Sequence, residues 1–126
     1  MYFKKMMEGI KYMHDNGVYH RDLKPDNIFL GSDLELKIAD FGMSKNISDM
    51  TGLLTRTRLG TEAYMAPEIL ANRAYNPALA DIFGAGAVLF ILYAGYPAYG
   101  KATANDGWYK MLIDRNFDAF WQCHDR

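Results

Sequence analysis

An uncharged and strongly apolar stretch runs from Ile82 to Gly100 and contains the sequence AVLFILYAGY. Such a run has to be buried, either in the core of a folded domain or in a membrane. A membrane-spanning helix needs about 20 apolar residues, and Gly95 and Pro97 interrupt this run before it reaches that length. We therefore predict a buried core helix from about Leu79 to Ala94 and no membrane contact.

The composition indicates a soluble globular protein. The chain has 126 residues, half of them hydrophobic and 23% charged, with a formal net charge of -1. This balance favours neither nucleic acid, nor an anionic membrane, nor a disordered chain. Cys123 is the only cysteine, so an internal disulfide is impossible and we expect an intracellular, cytoplasmic location. The N-terminal sequence MYFKKMMEGIK has no apolar core of the signal-peptide type.

The first forty residues predict a helix followed by a β-hairpin. Apolar residues recur at three- and four-residue intervals from Tyr2 to about Asp15, and Asn16-Gly17 is a stop signal, which indicates an amphipathic helix. The short apolar runs Asn27 to Leu30 and Leu34 to Ala39 are separated by the turn signal Gly31-Ser32-Asp33, which is typical of a small hairpin.

The remainder of the chain predicts a long irregular segment and two helices. Periodicity is lost from Asp40 to Glu68, where Ser, Thr and Arg accumulate, and loops of that length are usually functional or disordered. The apolar helix follows, then a Gly/Pro-rich turn and a helix from Asp106 to Asp114. Because no repeat or linker divides the chain, we expect residues 1–126 to belong to one domain. The fold class predicted is α+β, mainly helical.

Three short motifs carry the chemistry of this chain. They are HRDLKPDN from His20 to Asn27, DFG from Asp40 to Gly42, and APE from Ala66 to Glu68. In this order they resemble the eukaryotic protein kinase family, of the serine/threonine type. The resemblance implies a partial large (C-terminal) lobe over residues 1–126, with a small catalytic-loop hairpin, and with the family's small lobe and last helices outside it. The stretches KIADFGMS and AGYPAYG resemble the calcium/calmodulin-dependent group.

The resemblance implies a site for ATP and Mg2+. Asp22 would orient the hydroxyl of a protein serine or threonine and accept its proton, and Lys24 would meet the transferred phosphate. Asn27 and Asp40 carry oxygen ligands suited to Mg2+ that bridges the phosphates. Phe29 falls where the family places a hydrophobic floor under adenine, although an ordinary core phenylalanine is the equal alternative.

Further matches imply supporting and regulatory roles. Arg21 beside the catalytic aspartate suggests that phosphorylation orders the following segment, and Thr57 is the expected phosphorylation site, ahead of Thr51 and Thr55. The residues with an implied structural role are His20 and Phe41 as a stack joining two loops, Gly42 of DFG, Thr61 as a partner of the catalytic loop, Glu68 as an ion-pair partner for a late arginine, and Asp81 as an acceptor for the catalytic-loop backbone.

Two functions remain open at this point. The chain is either part of a kinase that phosphorylates proteins, or a non-catalytic lobe that only binds a partner or regulates one. The family's glycine-rich loop, strand lysine and helix glutamate have no counterpart in these 126 residues. We therefore expect little or no kinase activity from this chain alone. The sequence predicts no nucleic-acid partner, and it leaves the substrate, the activator, calcium dependence and the oligomeric state open.

Overall fold

The computed structural model describes residues 1–125 as a mainly helical α+β fold, as predicted. Its elements, in chain order, are α1 (Tyr2–Asp15), β1 (Val18–Tyr19), β2 (Ile28–Leu30), β3 (Leu36–Ile38), β4 (Lys45–Asn46), α2 (Pro67–Leu70), α3 (Pro77–Ala94), α4 (Gly107–Ile113) and α5 (Phe117–His124). Four short 3-10 turns lie at Pro25–Asn27, Phe41–Met43, Ile47–Asp49 and Glu62–Tyr64.

Helix α1 has the predicted bounds and supplies half of the main core. Its buried face is formed by Met6, Ile10 and Met13. At its end Asn16 donates its backbone N–H to the last turn, and Gly17 adopts a φ of +71°, a left-handed conformation that glycine takes without a Cβ clash. The predicted stop signal is therefore confirmed.

Helix α3 lies across the molecule and is buried on one face only. The Asn76 side chain accepts the backbone N–H of Ala78 at its start, and Gly95 ends it with a φ of +82°. Ala85 and Val88 pack against the buried residues of α1. The prediction of a buried helix is wrong for the opposite face, which exposes large apolar side chains at Leu79, Ile82, Leu89, Leu92 and Tyr93.

Among residues 1–125, α3 is long enough and apolar enough to cross a membrane. Core helices of soluble proteins often have the same length and composition. Only 28% of the 18 residues from Pro77 to Ala94 are buried inside the protein. The expectation of no membrane contact stays a prediction.

Two small antiparallel sheets flank the loop that carries HRDLKPDN. Strands β2 and β3 form the predicted hairpin, with Ile28 opposite Ile38 and Leu30 opposite Leu36. Ile28, Leu36 and Ile38 pack against the core that α1 and α3 share. The pairing of β1 with β4 was not predicted, because each strand has two residues and shows no alternating pattern.

The segment between the DFG and APE motifs is irregular, as predicted, and is held at few points. One is an isolated bridge in which Thr55 and Tyr75 exchange backbone hydrogen bonds of 2.9 and 2.8 Å. The helix predicted from Asp106 to Asp114 is α4, and Asp106 is the cap that precedes its first residue, Gly107. Helices α2 and α5 were not predicted; α2 is a single turn, and Asn116 caps α5 by accepting the N–H of Ala119.

Candidate active site

The backbone of the catalytic loop is fixed by one buried carboxylate. Asp81, 1% exposed in α3, accepts the backbone N–H of His20 with Oδ2 at 2.9 Å and that of Arg21 with Oδ1 at 2.8 Å. His14 of α1 places Nε2 2.8 Å from the same Oδ2. Arg21 has a φ of +67°, a left-handed conformation that costs energy in a residue other than glycine. The two bonds from the His20 and Arg21 backbone to Asp81 hold the loop in this strained form, and the contact with His14 ties Asp81 to α1.

Asp22 and Lys24 meet at the hydroxyl of Thr61. Oδ1 of Asp22 accepts the backbone N–H of Thr61 at 3.1 Å and its Oγ1 hydroxyl at 3.2 Å. Lys24 donates from Nζ to the same Oγ1 at 2.7 Å, and its Nζ lies 3.7 Å from Oδ2 of Asp22. The Asp22 side chain is only 9% exposed. A nearly buried carboxylate thus stands beside a cation and an alcohol.

The segment that carries Thr61 approaches the catalytic loop through Gly60. Gly60 has a φ of +106°, and a Cβ there would lie 2.7 Å from the carbonyl oxygen of Arg21. A side chain at this position would therefore push the segment away from the loop. This explains physically why Gly60-Thr61 has to begin with glycine for Thr61 to reach Asp22.

Asn27 directly precedes β2 and Asp40 follows β3 by two positions, so both belong to the same end of the hairpin. The backbone N–H of Ala39, the residue before Asp40, donates to the carbonyl of Asn27 at 2.9 Å. The buried Asn27 amide donates to the backbone oxygen of Asp22 at 2.8 Å and approaches its Oδ2 at 3.4 Å. With its nitrogen bound in this way, Asn27 can offer only its amide oxygen to a cation.

Asp40 adopts a φ of +59°, and its carboxylate accepts the N–H of Gly42 at 3.3 Å. Among residues 1–125 no group of three or more His, Cys, Asp or Glu side chains could hold a metal ion by itself. Mg2+ is commonly held by one or two protein ligands together with substrate phosphates. One carboxylate and one amide oxygen therefore fit magnesium that arrives with a nucleotide.

His20 and Phe41 form the predicted contact between the two loops, with ring centroids 5.1 Å apart. Nδ1 of the fully buried His20 accepts the backbone N–H of Asp22 at 3.2 Å, and Nε2 lies 2.8 Å from the carbonyl oxygen of Ala39. A carbonyl only accepts, so Nε2 carries the proton and the imidazole is neutral in this arrangement. His20 thereby links Asp22 itself to Ala39, the residue before Asp40.

Phe29 is not an ordinary core residue, because 53% of it is exposed. It borders an apolar cavity of about 270 Å³ between α1, the hairpin and α3. Its place under an adenine ring stays a prediction.

Glu68, in the first turn of α2, has no ion-pair partner among the residues that the structure describes. It borders a second groove, together with Arg73 and Tyr109.

Tyr75, which the sequence analysis did not single out, contacts both Thr57 and Arg21. The Tyr75 hydroxyl donates to the carbonyl of Thr57. Burial raises the pKa of Tyr75, and a hydrogen bond with Arg21 opposes that rise. Arg21 donates from Nε to the carbonyl of Met43 at 2.8 Å, while its buried Nη1 has no hydrogen-bond partner. Thr57 itself is exposed.

An ion-pair network beside Thr61 was also missed. Glu62 pairs with Lys101 at 2.6 Å and with Arg58 at 2.7 Å. The hydrogen bond from Lys101, and then that from Arg58, holds the pKa of Glu62 below its usual value. The spacing of Arg58 and Glu62 by four residues is a readable signal for a pair, but Lys101 lies in a distant loop that no local pattern connects to Glu62.

Known proteins resemble this chain over most of its length. The sequence model of the protein kinase domain matches residues 1–123. The chain is 47% identical over 102 residues to CBL-interacting protein kinase 29 of Oryza sativa subsp. japonica, and 46% identical over 95 residues to CBL-interacting serine/threonine-protein kinase 8 of Arabidopsis thaliana. These alignments cover 81% and 75% of this chain but only 22% and 21% of the relatives.

A third alignment, to CBL-interacting protein kinase 8 of Oryza sativa subsp. japonica, is 47% identical over 134 aligned positions and covers 93% of this chain and 30% of that relative. The chain therefore spans between a fifth and a third of the length of these relatives.

Proposed function

This chain belongs to the protein kinase domain family, as the sequence predicted, and we propose that it is part of a serine/threonine kinase that transfers the γ-phosphate of ATP to protein hydroxyls. The contact of Asp22 and Lys24 at Thr61 carries the proposal. Phosphoryl transfer needs a positioned hydroxyl and neutralised phosphate charge more than covalent help, and this arrangement provides for both.

Asp22 has one carboxylate oxygen held by Thr61 and a second that faces Lys24. We assign to that second oxygen the task of orienting the substrate hydroxyl and taking its proton. The Lys24 ammonium, 3.7 Å away, would balance the negative charge of a transferred phosphate without leaving Thr61. Mg·ATP, when bound, supplies the phosphoryl group, and Asn27 and Asp40 would hold the metal.

The proposal applies to the whole protein. Losing the phosphate-clamping parts of the family's small lobe should remove several kcal/mol of transition-state stabilisation, so we expect this chain alone to show little or no transfer. The alternative of a purely non-catalytic module is less favoured, because the contacts among Asp22, Lys24, Asn27 and Thr61 are all formed.

The test is phosphate transfer to a mixed serine and threonine peptide library by a longer form of the protein that includes a small lobe. Asp22→Ala should lower kcat by about 100-fold or more while the KM for ATP changes little. The matched control is Asp49→Ala, which removes an exposed carboxylate away from the loop. Transfer that survives Asp22→Ala, or no transfer by the longer form, would contradict the proposal.

We also propose that phosphorylation of Thr57 regulates the protein. The unpartnered Nη1 of Arg21 is a donor for phosphate oxygens, and the exposed Thr57 is held nearby through Tyr75. Thr55 is a weaker candidate because it is 8% exposed and paired with Tyr75; Thr51 is exposed. In the longer form, Thr57→Ala should lower activity.

Two broader assignments are proposals from resemblance and composition. The relatives' names describe them as CBL-interacting, so a CBL protein is a proposed partner of the whole protein, with no residue of this chain assigned to it. An intracellular, cytoplasmic location is proposed from the single cysteine.

A further inference from the structure

The pair Asn16-Gly17, which ends α1, is the one Asn-Gly sequence in the chain. Asparagine followed by glycine loses ammonia more readily than other asparagines, because glycine has no side chain to keep its backbone nitrogen away from the asparagine side-chain carbonyl. We propose that Asn16 is a deamidation site, at which the end of α1 controls the rate and the isoaspartate product loosens the pairing of β1 with β4 ahead of the catalytic loop.

The reaction needs water and no other reactant. The backbone nitrogen of Gly17 attacks the side-chain carbonyl carbon Cγ of Asn16. The bond from Cγ to Nδ2 breaks, and Nδ2 leaves as ammonia with the proton that the Gly17 nitrogen has lost. Water then opens the resulting five-membered imide at either of its two carbonyls, which gives aspartate or isoaspartate. In isoaspartate the main chain runs through Cγ, so it is longer by one carbon atom.

The end of α1 holds both reacting nitrogens in hydrogen bonds. The backbone N–H of Gly17 donates to the carbonyl of His14 at 3.0 Å, and Nδ2 of Asn16 donates to the carbonyl of Tyr12 at 2.8 Å. Asn16 is exposed, so water can reach the imide. The ring closes only after both hydrogen bonds open, and the ends of helices open at a low free energy. The rate of deamidation therefore follows the fraying of the last turn of α1.

The pair Asp106-Gly107 could form the same imide, and its geometry opposes the reaction. The Asp106 carboxylate is ionised at neutral pH and accepts four backbone N–H groups, so its carbon is a poor target for a nucleophile. Gly107 is the first residue of α4, whereas Gly17 lies beyond the end of α1. Asn16 should therefore react first, and Asp106 provides an internal control.

The main chain at Gly17 has no room to shift. Its carbonyl accepts the backbone N–H of Ile47 at 2.6 Å, and a Cβ on Gly17 would lie 2.6 Å from Cγ2 of Ile47. The next residue, Val18, starts β1, which pairs with β4, and the catalytic-loop motif follows from His20. An extra main-chain carbon before Gly17 would displace β1 from β4. Ordinary aspartate adds a charge there but leaves the length of the main chain unchanged.

The test compares the 126-residue chain with a synthetic peptide of residues 12–21 during incubation in the same neutral buffer. Trypsin releases residues 12–21 from the chain, so mass spectrometry follows the change from amide to acid in both samples. We expect isoaspartate in both, formed about tenfold more slowly in the folded chain because two hydrogen bonds have to open first. In urea that unfolds the chain, its rate should rise to that of the peptide. Residues 102–110, which contain Asp106, should show no isoaspartate over the same period.

Two variants separate the chemistry from its structural effect. Asn16→Gln keeps the amide but would have to close a six-membered ring, so it should stay unmodified. Hydrogen exchange of the Ile47 N–H, which donates to Gly17, measures the loss of pairing. We expect this exchange to be about tenfold faster in the isoaspartate form than in the unmodified chain. Asn16→Asp carries the same charge without the extra carbon, and its exchange should stay within about twofold of the unmodified chain.

Four results would overturn the inference. They are deamidation of the peptide but not of the chain, equal rates in the folded chain and the peptide, isoaspartate at Asp106 before Asn16, and unchanged exchange of the Ile47 N–H in the isoaspartate form. Equal exchange in Asn16→Asp and the isoaspartate form would assign the loosening to charge and contradict the role of main-chain length. None of these measurements depends on phosphate transfer, so their outcome is independent of the proposed function.

Discussion

The carboxylate of Asp81 accepts the backbone N–H of His20 across 2.9 Å, although the two residues are 61 positions apart in sequence. This bond joins the long apolar helix α3 to the loop whose side chains form the candidate site. Because the neighbouring Arg21 is strained and bonds to the same carboxylate, Asp81 sets the loop conformation without contributing to the chemistry.

Asp81→Ala should therefore destabilise the whole chain. It would leave the buried N–H groups of His20 and Arg21 without an acceptor, and each such loss costs about 1–3 kcal/mol. We expect the free energy of unfolding in urea to fall by about 2–5 kcal/mol. Asp49→Ala, at an exposed carboxylate, should change it by less than about 0.5 kcal/mol; equal effects of the two substitutions would show that Asp81 does not hold the loop.

The sequence predicted the local features of the fold well. The predictions that held are the apolar spacing of α1 with its Asn16-Gly17 ending, the hairpin turn and the helix that begins near Asp106. Each of them depends on neighbouring residues alone. The prediction that α3 is buried was wrong for one of its faces. An apolar composition indicates that burial stabilises a helix, but it does not show whether other elements of the described chain cover every face. Helix α5 was missed although Asn116 is a readable cap.

The sequence predicted contacts in the site only between residues that belong to recognised motifs. The motifs named Asp22, Lys24 and Thr61 as neighbours, and the structure brings them together; their catalytic roles stay predictions. Tyr75 and Lys101 were missed, because each reaches the site from a separate segment. No periodicity or local pair connects Lys101 to Glu62, so only the folded arrangement reveals that contact.

The cap of helix α4 should make stability depend on pH. Asp106 accepts four backbone N–H groups, from Gly100, Lys101, Trp108 and Tyr109, at 2.8 to 3.2 Å. Desolvation raises the pKa of this carboxyl, but the four donors outweigh it and hold the pKa below the ordinary 3.8. A lowered folded-state pKa gives stability that is present above the unfolded value and is lost as the pH falls through the folded one.

We therefore expect Asp106→Ala to lower the free energy of unfolding by about 1 kcal/mol at pH 7. The difference from the unsubstituted chain should stay constant down to about pH 5 and shrink below about pH 4, where the carboxylate is protonated. Urea titrations between pH 3 and 7 measure it. Asp106→Asn, an uncharged cap, should keep a constant advantage in free energy of unfolding over Asp106→Ala across this range, because neither variant carries the titrating carboxylate. If the difference in free energy of unfolding between the unsubstituted chain and Asp106→Ala grew as the pH falls, the pKa of Asp106 would not be lowered by folding.

The Glu62 network should restrain the segment that carries Thr61 in a salt-dependent way. Glu62→Gln breaks the pairs with Lys101 and Arg58, so trypsin should cleave after Arg58 about two- to fivefold faster. High salt screens exposed charges, and 1 M NaCl should therefore speed cleavage of the unsubstituted chain while leaving the variant nearly unaffected. The control is Glu8→Gln, which breaks the exposed pair with Lys4 on α1. If Glu8→Gln speeds cleavage after Arg58 as much as Glu62→Gln does, the Glu62 ion pairs do not restrain this segment.

A phosphate on Thr57 should sense the charge of Arg21. A phosphothreonine has a second pKa of about 6, and a cation within a few ångströms lowers the pKa of an acid by about one unit. We expect phosphorus NMR of the chain phosphorylated at Thr57 to give a second pKa near 5, and Arg21→Gln to return it to about 6. Phosphothreonine at Thr51 serves as the matched control and should titrate near 6 with either residue at position 21. If the phosphate at Thr57 also titrates near 6 in the unsubstituted chain, Arg21 is not its partner, and the regulatory proposal fails even where Asp22-dependent transfer has been observed.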